Sequence, residues 1–241
     1  MLALAVGAFA SPPEGAKCFV TYTFDDGLLD QYTCAYPMLR ERKLPATFFI
    51  IGAKIGNPNG MKSKAERNTP TMTWEMLVDM STNGMEIASH GWAHAKYSKM
   101  DRSAVLDDIR HNQSVLKERV HVDCVSFAAP YNIKTTADGD SIDKIAQEAG
   151  IVAMRLRQKA AGGKMTAEKM NALVAEARDK GEWIVFMTHG MERGYDAWEN
   201  AGEFAKHLDW VKTQGDVWVA TFADAFRNRD FLTAQGGTTH K

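Results

Sequence analysis

Short apolar runs alternate with helical patterns along almost the whole chain, and this alternation restricts the fold more than any other feature. Each run has the length of a strand and is bounded by polar or glycine-containing segments. Strands that alternate with helices pair in parallel through right-handed crossovers. We therefore predict one barrel-like α/β domain, one strand short of the complete eightfold barrel. The predicted strands are 18–24, 46–52, 85–89, 124–129, 151–156, 183–188 and 216–220.

Local signals place several helix boundaries and one long loop. Thr73 precedes a helical pattern as an N-cap, and Ser98 stands three residues before Asp101, which is a capping-box spacing that predicts a helix start at Ser98. Pro37 is predicted to separate a loop from the helix that follows it. The glycine- and asparagine-rich stretch 55–70 is predicted to be a loop inserted after the second strand.

Composition gives little reason to expect a nucleic acid or a membrane as partner. The net charge is −1, and no run approaches the roughly 18 to 20 apolar residues that span a bilayer. Three cysteines (Cys18, Cys34 and Cys124) leave at least one thiol unpaired, and the absence of a CxxC spacing argues against a thiolate metal site. No particular oligomeric state is predicted.

The N-terminus resembles the end of an export signal. Residues 2–10 are apolar and finish on Ala8-Phe9-Ala10, an A-x-A pattern like that of signal-peptidase sites, although no basic segment precedes them. We predict a secreted or periplasmic protein in which 1–15 is a signal-peptide remnant and disordered N-terminus, 16–230 is the domain and 231–241 is a tail. The alternative is a loosely packed N-terminus without a targeting role.

Polar residues collect where four predicted strands end. Asp25 and Asp26 follow the first strand, "SHGWAH" follows the third, "AAPYN" the fourth and "THG" the sixth. In α/β barrels the loops at the carboxyl ends of the strands surround one central opening. These residues are therefore expected to form a common site.

His90 and His94 are four residues apart, which places both imidazoles on one face of a helical turn. With one carboxylate they would form a three-ligand site for a divalent cation. One of Asp25 and Asp26 would bind the cation and the other would act as a base, since the cation relieves their mutual repulsion. An Asp-Gly turn is the alternative for these aspartates. The remaining histidines (His111, His121, His207 and His240) are expected to be structural or exposed.

The motifs "TFDDG", "HGWAH", "APY" and "MTH", in this order and at these separations, resemble those of the polysaccharide deacetylases, carbohydrate esterase family 4. The resemblance covers roughly residues 18–225 and implies a distorted (β/α) barrel with fewer strands than usual. It also implies a metal-bound water as nucleophile. The roles that it implies are Asp25 as base, His189 as acid, Asp26, His90 and His94 as metal ligands, and the Tyr131 backbone amide, beside Pro130, as an oxyanion donor.

Three positions depart from the family pattern. Ala128 replaces the usual arginine of the third motif, the aspartate-bearing fourth motif is absent around "AMRLRQ", and Gly91 stands where serine or threonine is usual. Arg155 and Arg157 lie on that fifth strand and share one face of it. We predict that Arg155 reaches across the opening and orients Asp25. The alternative is that both arginines are surface or structural ion-pair residues.

The predicted function is removal of acetyl groups from an acetylated glycan by a metal-dependent N-deacetylase or O-acetyl esterase. Two imidazoles and one carboxylate favour Zn²⁺, and such sites also accept Co²⁺ and similar ions. Trp198 is a candidate aromatic platform for a sugar ring, as are Trp92 and Tyr131, with packing as the alternative. The alternative functions are hydrolysis of a small amide or cyclic imide and glycan binding without catalysis.

Overall fold

The computed structural model describes residues 10–57 and 69–234, and these ranges form one domain built on a curled parallel sheet. All seven predicted strands are present, and an eighth of only two residues lies between the fifth and sixth of them. The predicted distorted (β/α) barrel is confirmed. The strands are β1 (Cys18–Asp26), β2 (Thr47–Ile50), β3 (Glu86–Ser89), β4 (Ser126–Phe127), β5 (Ala153–Met154), β6 (Lys159–Ala160), β7 (Trp183–Thr188) and β8 (Val217–Val219).

Strand β1 is the centre of the sheet and pairs with three others. It contacts β7 along one side, and β8 and β2 in succession along the other. The order across the sheet is β5-β4-β3-β2-β1-β7-β6, so β5 and β6 are its two ends. No pairing joins β5 to β6 within the described ranges, and we call this gap the seam of the barrel.

Helices cover the outer face of the sheet, and side-chain caps start several of them. Thr73, Thr166 and Thr221 each accept a hydrogen bond from a backbone N–H in the first turn of the following helix. The helices are α1 (Tyr36–Arg42), α2 (Trp74–Thr82), α3 (Arg102–Val120), α4 (Ile142–Glu148), α5 (Ala167–Lys180), α6 (Gly202–Lys212), α7 (Phe222–Arg227) and α8 (Arg229–Ala234). Among the described residues, no helix is both long and apolar enough to cross a membrane.

Two local predictions were wrong. Helix α3 begins at Arg102 rather than at Ser98, because the Asp101 carboxylate accepts the Ala104 N–H at 2.8 Å and caps the helix there. The segment before Pro37 is a five-residue π-helix (Gln31–Ala35) instead of a loop. Pro37 itself lies in the first turn of α1, where a missing N–H costs nothing.

A small cluster fills the interior of the barrel. Phe49, Val185 and Phe222 supply the bulk, whereas β3 and β5 contribute Ala88 and Ala153, and Ala128 directly follows β4. The larger core lies between the outer face of the sheet and the helices. The narrow alanine side chains are what allow a long side chain to cross the opening.

Several predictions concern residues outside the described ranges. Residues 1–9 of the predicted export signal and residues 58–68 of the predicted loop are among them.

At the C-terminal end of the domain, α8 continues to Ala234, beyond the predicted domain boundary at 230. The three cysteines are free thiols, two of them buried.

Candidate functional site

The structure brings the predicted metal ligands together at the carboxyl ends of β1 and β3. Asp26 is the last residue of β1, and His90 and His94 lie in the segment that follows β3. Ligand atoms of the three residues all lie within 4.8 Å of one another. The Asp26 Oδ1 atom is 3.5 Å from His90 Nε2 and 3.7 Å from His94 Nε2.

Hydrogen bonding fixes which ring nitrogen of His90 faces the aspartate. Its Nδ1 lies 2.7 Å from the Ala128 carbonyl oxygen, which only accepts, so Nδ1 carries the proton. Burial lowers the pKa of His90 to about 3 and keeps the ring neutral. The Nε2 lone pair therefore points at the carboxylate of Asp26. Two imidazoles and a carboxylate that converge in this way fit a divalent cation.

The loop that carries His94 is held by Asp108 of α3. The Asp108 carboxylate accepts the backbone N–H groups of Trp92 at 2.8 Å and of Ala93 at 3.1 Å, and the Tyr97 hydroxyl at 2.7 Å. A Cβ atom on Gly91 would lie 2.5 Å from the Tyr97 hydroxyl and 2.8 Å from Asp108 Oδ2. Gly91 also has a φ of 75°, which favours glycine. A glycine is thus required at this position, where the family usually has serine or threonine, because the Tyr97 hydroxyl and the Asp108 carboxylate occupy the space of a Cβ atom.

Asp25 points into the barrel and forms a buried ion pair with Arg155. The Arg155 Nη1 and Nη2 atoms donate to Asp25 Oδ1 at 2.6 Å and Oδ2 at 2.5 Å, and Nη1 also donates to Thr23 Oγ1 at 3.0 Å. The guanidinium carbon lies 4.8 Å from the ring centroid of Phe49. Burial alone would raise the pKa of Asp25. The charge and hydrogen bonds of Arg155, together with the neighbouring imidazoles of His90 and His189, outweigh burial and hold this pKa well below its usual range.

Arg155 takes this position because its strand neighbour is small. Arg155 lies one residue beyond the end of β5, where the prediction had placed it on the strand. Its backbone N–H donates to the Phe127 carbonyl, so Arg155 lies beside Ala128, which is one residue beyond β4. The structure therefore shows the side-chain contact between Arg155 and Asp25, whereas the role of Arg155 in orienting a base stays a prediction.

His189 follows β7 and pairs with Asp196 in the same loop. Its Nδ1 lies 3.0 Å from Asp196 Oδ2, and its backbone N–H donates to Asp196 Oδ1 at 2.8 Å. Burial on its own lowers the pKa of His189. The hydrogen bond to Asp196 and the charges of Asp25 and Asp26 outweigh burial and raise this pKa to about 9. At neutral pH the ring therefore carries a proton on each nitrogen.

Two buried residues after β1, Asp30 and Gln31, hold the loop that contains His189. The Gln31 side-chain amide donates to the carbonyl oxygens of Asp25 and His189, both at 2.5 Å. Asp30 Oδ2 accepts three consecutive backbone N–H groups, those of residues 191–193, at 2.8 to 2.9 Å. The loop with His189 is thereby fixed relative to β1.

The aromatic candidates have different positions. The Tyr131 ring is half exposed and its centroid lies 4.5 Å from that of His94, and the preceding Pro130 is buried. Trp92 packs on the ring of His111 at 4.3 Å. The prediction of Trp198 as a sugar platform was wrong, because its side chain is 6% exposed and packs on Phe204 in the main core.

Histidine His207 is structural, as predicted. It is fully buried between the hydroxyl of Tyr22 at 2.8 Å and the side chain of Asn171 at 2.6 Å.

Asp196, Asp108 and Gln31 were not predicted from the sequence. Asp196 and Gln31 lie in segments that leave the same end of the sheet as the predicted site, so a search of every polar residue after a strand would have included both. Asp108 lies in the middle of α3, and no sequence signal distinguishes it from the neighbouring Asp107.

Comparison with known proteins agrees with the motifs. The polysaccharide deacetylase family profile matches residues 13–154. The chain is 30% identical over 110 residues to YxkH of Bacillus subtilis (strain 168), a provisionally assigned polysaccharide deacetylase, and the match covers 42% of this chain and 35% of that protein. It is 30% identical over 112 residues to a bifunctional xylanase/deacetylase of Pseudobutyrivibrio xylanivorans, with 46% of this chain and 16% of that protein covered. The matches thus span about a third or less of these relatives.

Solved structures share the fold over nearly the whole chain. A provisionally assigned polysaccharide deacetylase from Mycobacterium smegmatis superposes with a TM-score of 0.67 at 18% identity, covering 97% of this chain and 96% of that one. The peptidoglycan deacetylase PdaC from Bacillus subtilis gives a TM-score of 0.59 at 16% identity, with 90% and 94% covered. A family 4 acetyl xylan esterase from Clostridium thermocellum, in complex with a cobalt ion, gives 0.54 at 17% identity, with 92% and 93% covered.

Proposed function

Because this chain belongs to the polysaccharide deacetylase family, we propose that it is a metal-dependent hydrolase that removes acetyl groups from a carbohydrate, as an N-deacetylase or an O-acetyl esterase. One observation carries the proposal. The Asp26, His90 and His94 cluster lies beside both an ionised carboxylate, Asp25, and a protonated imidazole, His189. A hydrolysis that needs a base and an acid uses these two protonation states.

The ligand set supports a divalent cation held by Asp26, His90 and His94. Two imidazoles and one carboxylate favour Zn²⁺, with Co²⁺ as a substitute, and the esterase from Clostridium thermocellum was solved with cobalt. When bound, such an ion polarises a carbonyl and makes water more acidic.

The protein side chains supply the proton transfers. Asp25, kept ionised and aligned by Arg155, accepts a proton from the attacking water. His189, protonated and oriented by Asp196, donates a proton to the departing amine or alkoxide. The backbone N–H of Tyr131 is the proposed donor to the oxyanion. The retained acid and base favour catalysis over glycan binding alone, since a binding protein requires neither group.

The proposal is tested by measuring acetate release from acetylated xylan, chitooligosaccharides and peptidoglycan, together with metal content. We expect Asp25→Asn to keep the metal and lose most turnover, because only the base is removed. Asp26→Asn should instead weaken metal binding. Asp123→Asn, an exposed carboxylate in a surface ion pair, is the control and should change neither. Identical metal titrations for the two site variants would contradict the division between ligand and base.

We also propose that the protein is exported and that its domain begins at residue 16 and includes all of α8. The apolar run before Ala10 supports export, and N-terminal sequencing of the protein from its native host tests it. Retention of Met1 in a cytoplasmic fraction would contradict the proposal.

A further inference from the structure

A groove of about 840 Å³ runs along the seam of the barrel, outside the Asp25 and His189 site. One wall comes from the segment after β5, including Leu156, and the other from the first residues of β7. Its floor is apolar and includes the half-buried rings of Trp183 and Phe226. The volume is in the range of protein sites for organic ligands, roughly 300 to 1,000 Å³.

One end of the groove adjoins the candidate site. Asn132 lines the groove and directly follows Tyr131, whose ring contacts His94. The Gln158 side-chain amide donates to Asn132 Oδ1 at 3.1 Å, which places one exposed and one half-buried amide at this end. Leu156, 56% exposed, directly follows Arg155. Tyr131 beside His94 and Asn132 in the groove are consecutive residues, so this end of the groove begins next to the candidate site.

The groove carries an excess of positive charge. Its lining includes four cationic side chains and two carboxylates, although the whole chain has a net charge of −1. Lys180 is paired with Glu176 at 2.5 Å. The exposed side chains of Arg157 and Lys159 form no ion pair within 4 Å with any residue of the described ranges. These two cations are therefore available to a ligand.

We propose that the seam groove binds the continuation of the substrate chain, and that this chain is a glycan with carboxylate groups, such as a polyuronate or a uronic-acid-substituted polysaccharide. This inference rests on the proposed function. Asn132 and Gln158 bind sugar hydroxyls, the ring of Trp183 packs against the pyranose rings, and Arg157 and Lys159 bind the carboxylates. A purely apolar ligand would use the floor but would gain nothing from the charges of Arg157 and Lys159.

The test measures binding of the full-length, metal-loaded protein to alginate, a polyuronate, and to laminarin, a neutral glucan, by calorimetry at low salt. The double variant Arg157→Gln/Lys159→Gln removes both cations. The matched control, Lys144→Gln/Lys212→Gln, removes the same charge from exposed positions on α4 and α6. Hydrolysis of 4-nitrophenyl acetate by the unsubstituted protein reports separately on the proposed function.

We expect the groove variant to bind alginate roughly three- to tenfold more weakly, as the loss of two exposed ion pairs implies, and the control to bind as the unsubstituted protein does. The affinity difference should disappear at high salt. An equal loss in both variants, or laminarin binding as tight as alginate binding, would overturn the inference. Absence of both ester hydrolysis and acetate release from N-acetylated glycans, with a normal alginate response, would instead refute the proposed function alone.

Discussion

Replacing Arg155 with lysine tests whether a planar guanidinium, and not simply a positive charge, holds Asp25. Arg155 donates two hydrogen bonds to the Asp25 carboxylate, at 2.5 and 2.6 Å, and one to Thr23 at 3.0 Å. A lysine keeps the charge, but a single ammonium does not reproduce the two parallel contacts. The variant therefore removes the geometry while it retains the charge balance of the buried site.

The expected magnitude follows from these contacts. A hydrogen bond to a charged group contributes about 1.5–3 kcal/mol. Loss of one such bond, with partial loss of the Thr23 contact, should lower the free energy of unfolding by about 2–4 kcal/mol at neutral pH. A base that is no longer aligned should lower kcat by roughly ten- to a hundredfold, since each tenfold step corresponds to about 1.4 kcal/mol. Metal content should not change.

The pH dependence of the stability loss has a definite sign. Because Arg155 holds the pKa of Asp25 below its unfolded value of about 3.9, the ionised Asp25 stabilises the fold above that pH. This contribution is lost as the pH falls and the carboxylate is protonated. The difference in unfolding free energy between the variant and the unsubstituted protein should therefore narrow below about pH 4.

Denaturant unfolding, acetate release and elemental analysis provide the three measurements. Arg42→Lys is a matched control, because Arg42 makes two similar contacts to Asp209, at 2.6 and 3.0 Å, on the surface. It should cost less than about 1 kcal/mol and leave kcat unchanged. Equal stability losses in both variants, with unchanged turnover, would refute the reasoning.

Three other perturbations address the acid and the metal site. Asp196→Asn should lower the pKa of His189 from about 9 towards its usual value, so NMR titration should detect the shift and the alkaline limb of the rate profile should move to lower pH. Folding raises the pKa of His189. The ion pair between His189 and Asp196 should therefore stabilise the fold fully below about pH 6.5 and lose this effect as the pH rises through about 9. Asp108→Asn should weaken metal affinity about tenfold in chelator competition, with an unchanged circular dichroism spectrum. The control Asp107→Asn, at an exposed neighbour on α3, should leave metal affinity unchanged. Equal metal affinities in the two variants would contradict the anchoring role of Asp108. His94→Ala should abolish the one divalent ion per chain that elemental analysis is expected to find, and full occupancy in this variant would exclude the ligand assignment.

The parts of this structure that were predictable from sequence are those set by local patterns. Strand positions follow from apolar runs, and the spacing of His90 and His94 beside a strand-end aspartate is a local arrangement. Their proximity to Asp26 then follows from parallel pairing, which brings the carboxyl ends of the strands to one edge.

The remaining features depend on tertiary contacts between distant segments. Asp108 anchors the His94 loop from a helix, and its sequence context is that of any solvent-facing helical aspartate. Trp198 lies in the segment after β7, where a sugar-contacting residue is expected, but packing on Phe204 directs its ring into the core. The orientations of the Asp108 and Trp198 side chains therefore depend on residues that are distant in sequence.

The position of β1 at the centre of the sheet has a consequence for biosynthesis. Its partners β7 and β8 begin at residues 183 and 217. Most of the backbone pairing of β1, the strand that carries Asp25, therefore cannot form until the last quarter of the chain has been synthesised. At about 5–20 residues per second, roughly 7 to 27 seconds separate synthesis of β2 from that of β7. During this interval one side of β1 has no strand to pair with, and its backbone N–H and C=O groups on that side stay unpaired. A ribosome-bound chaperone that covers residues 18–26 would therefore increase the yield of folded protein more than one that binds any later strand.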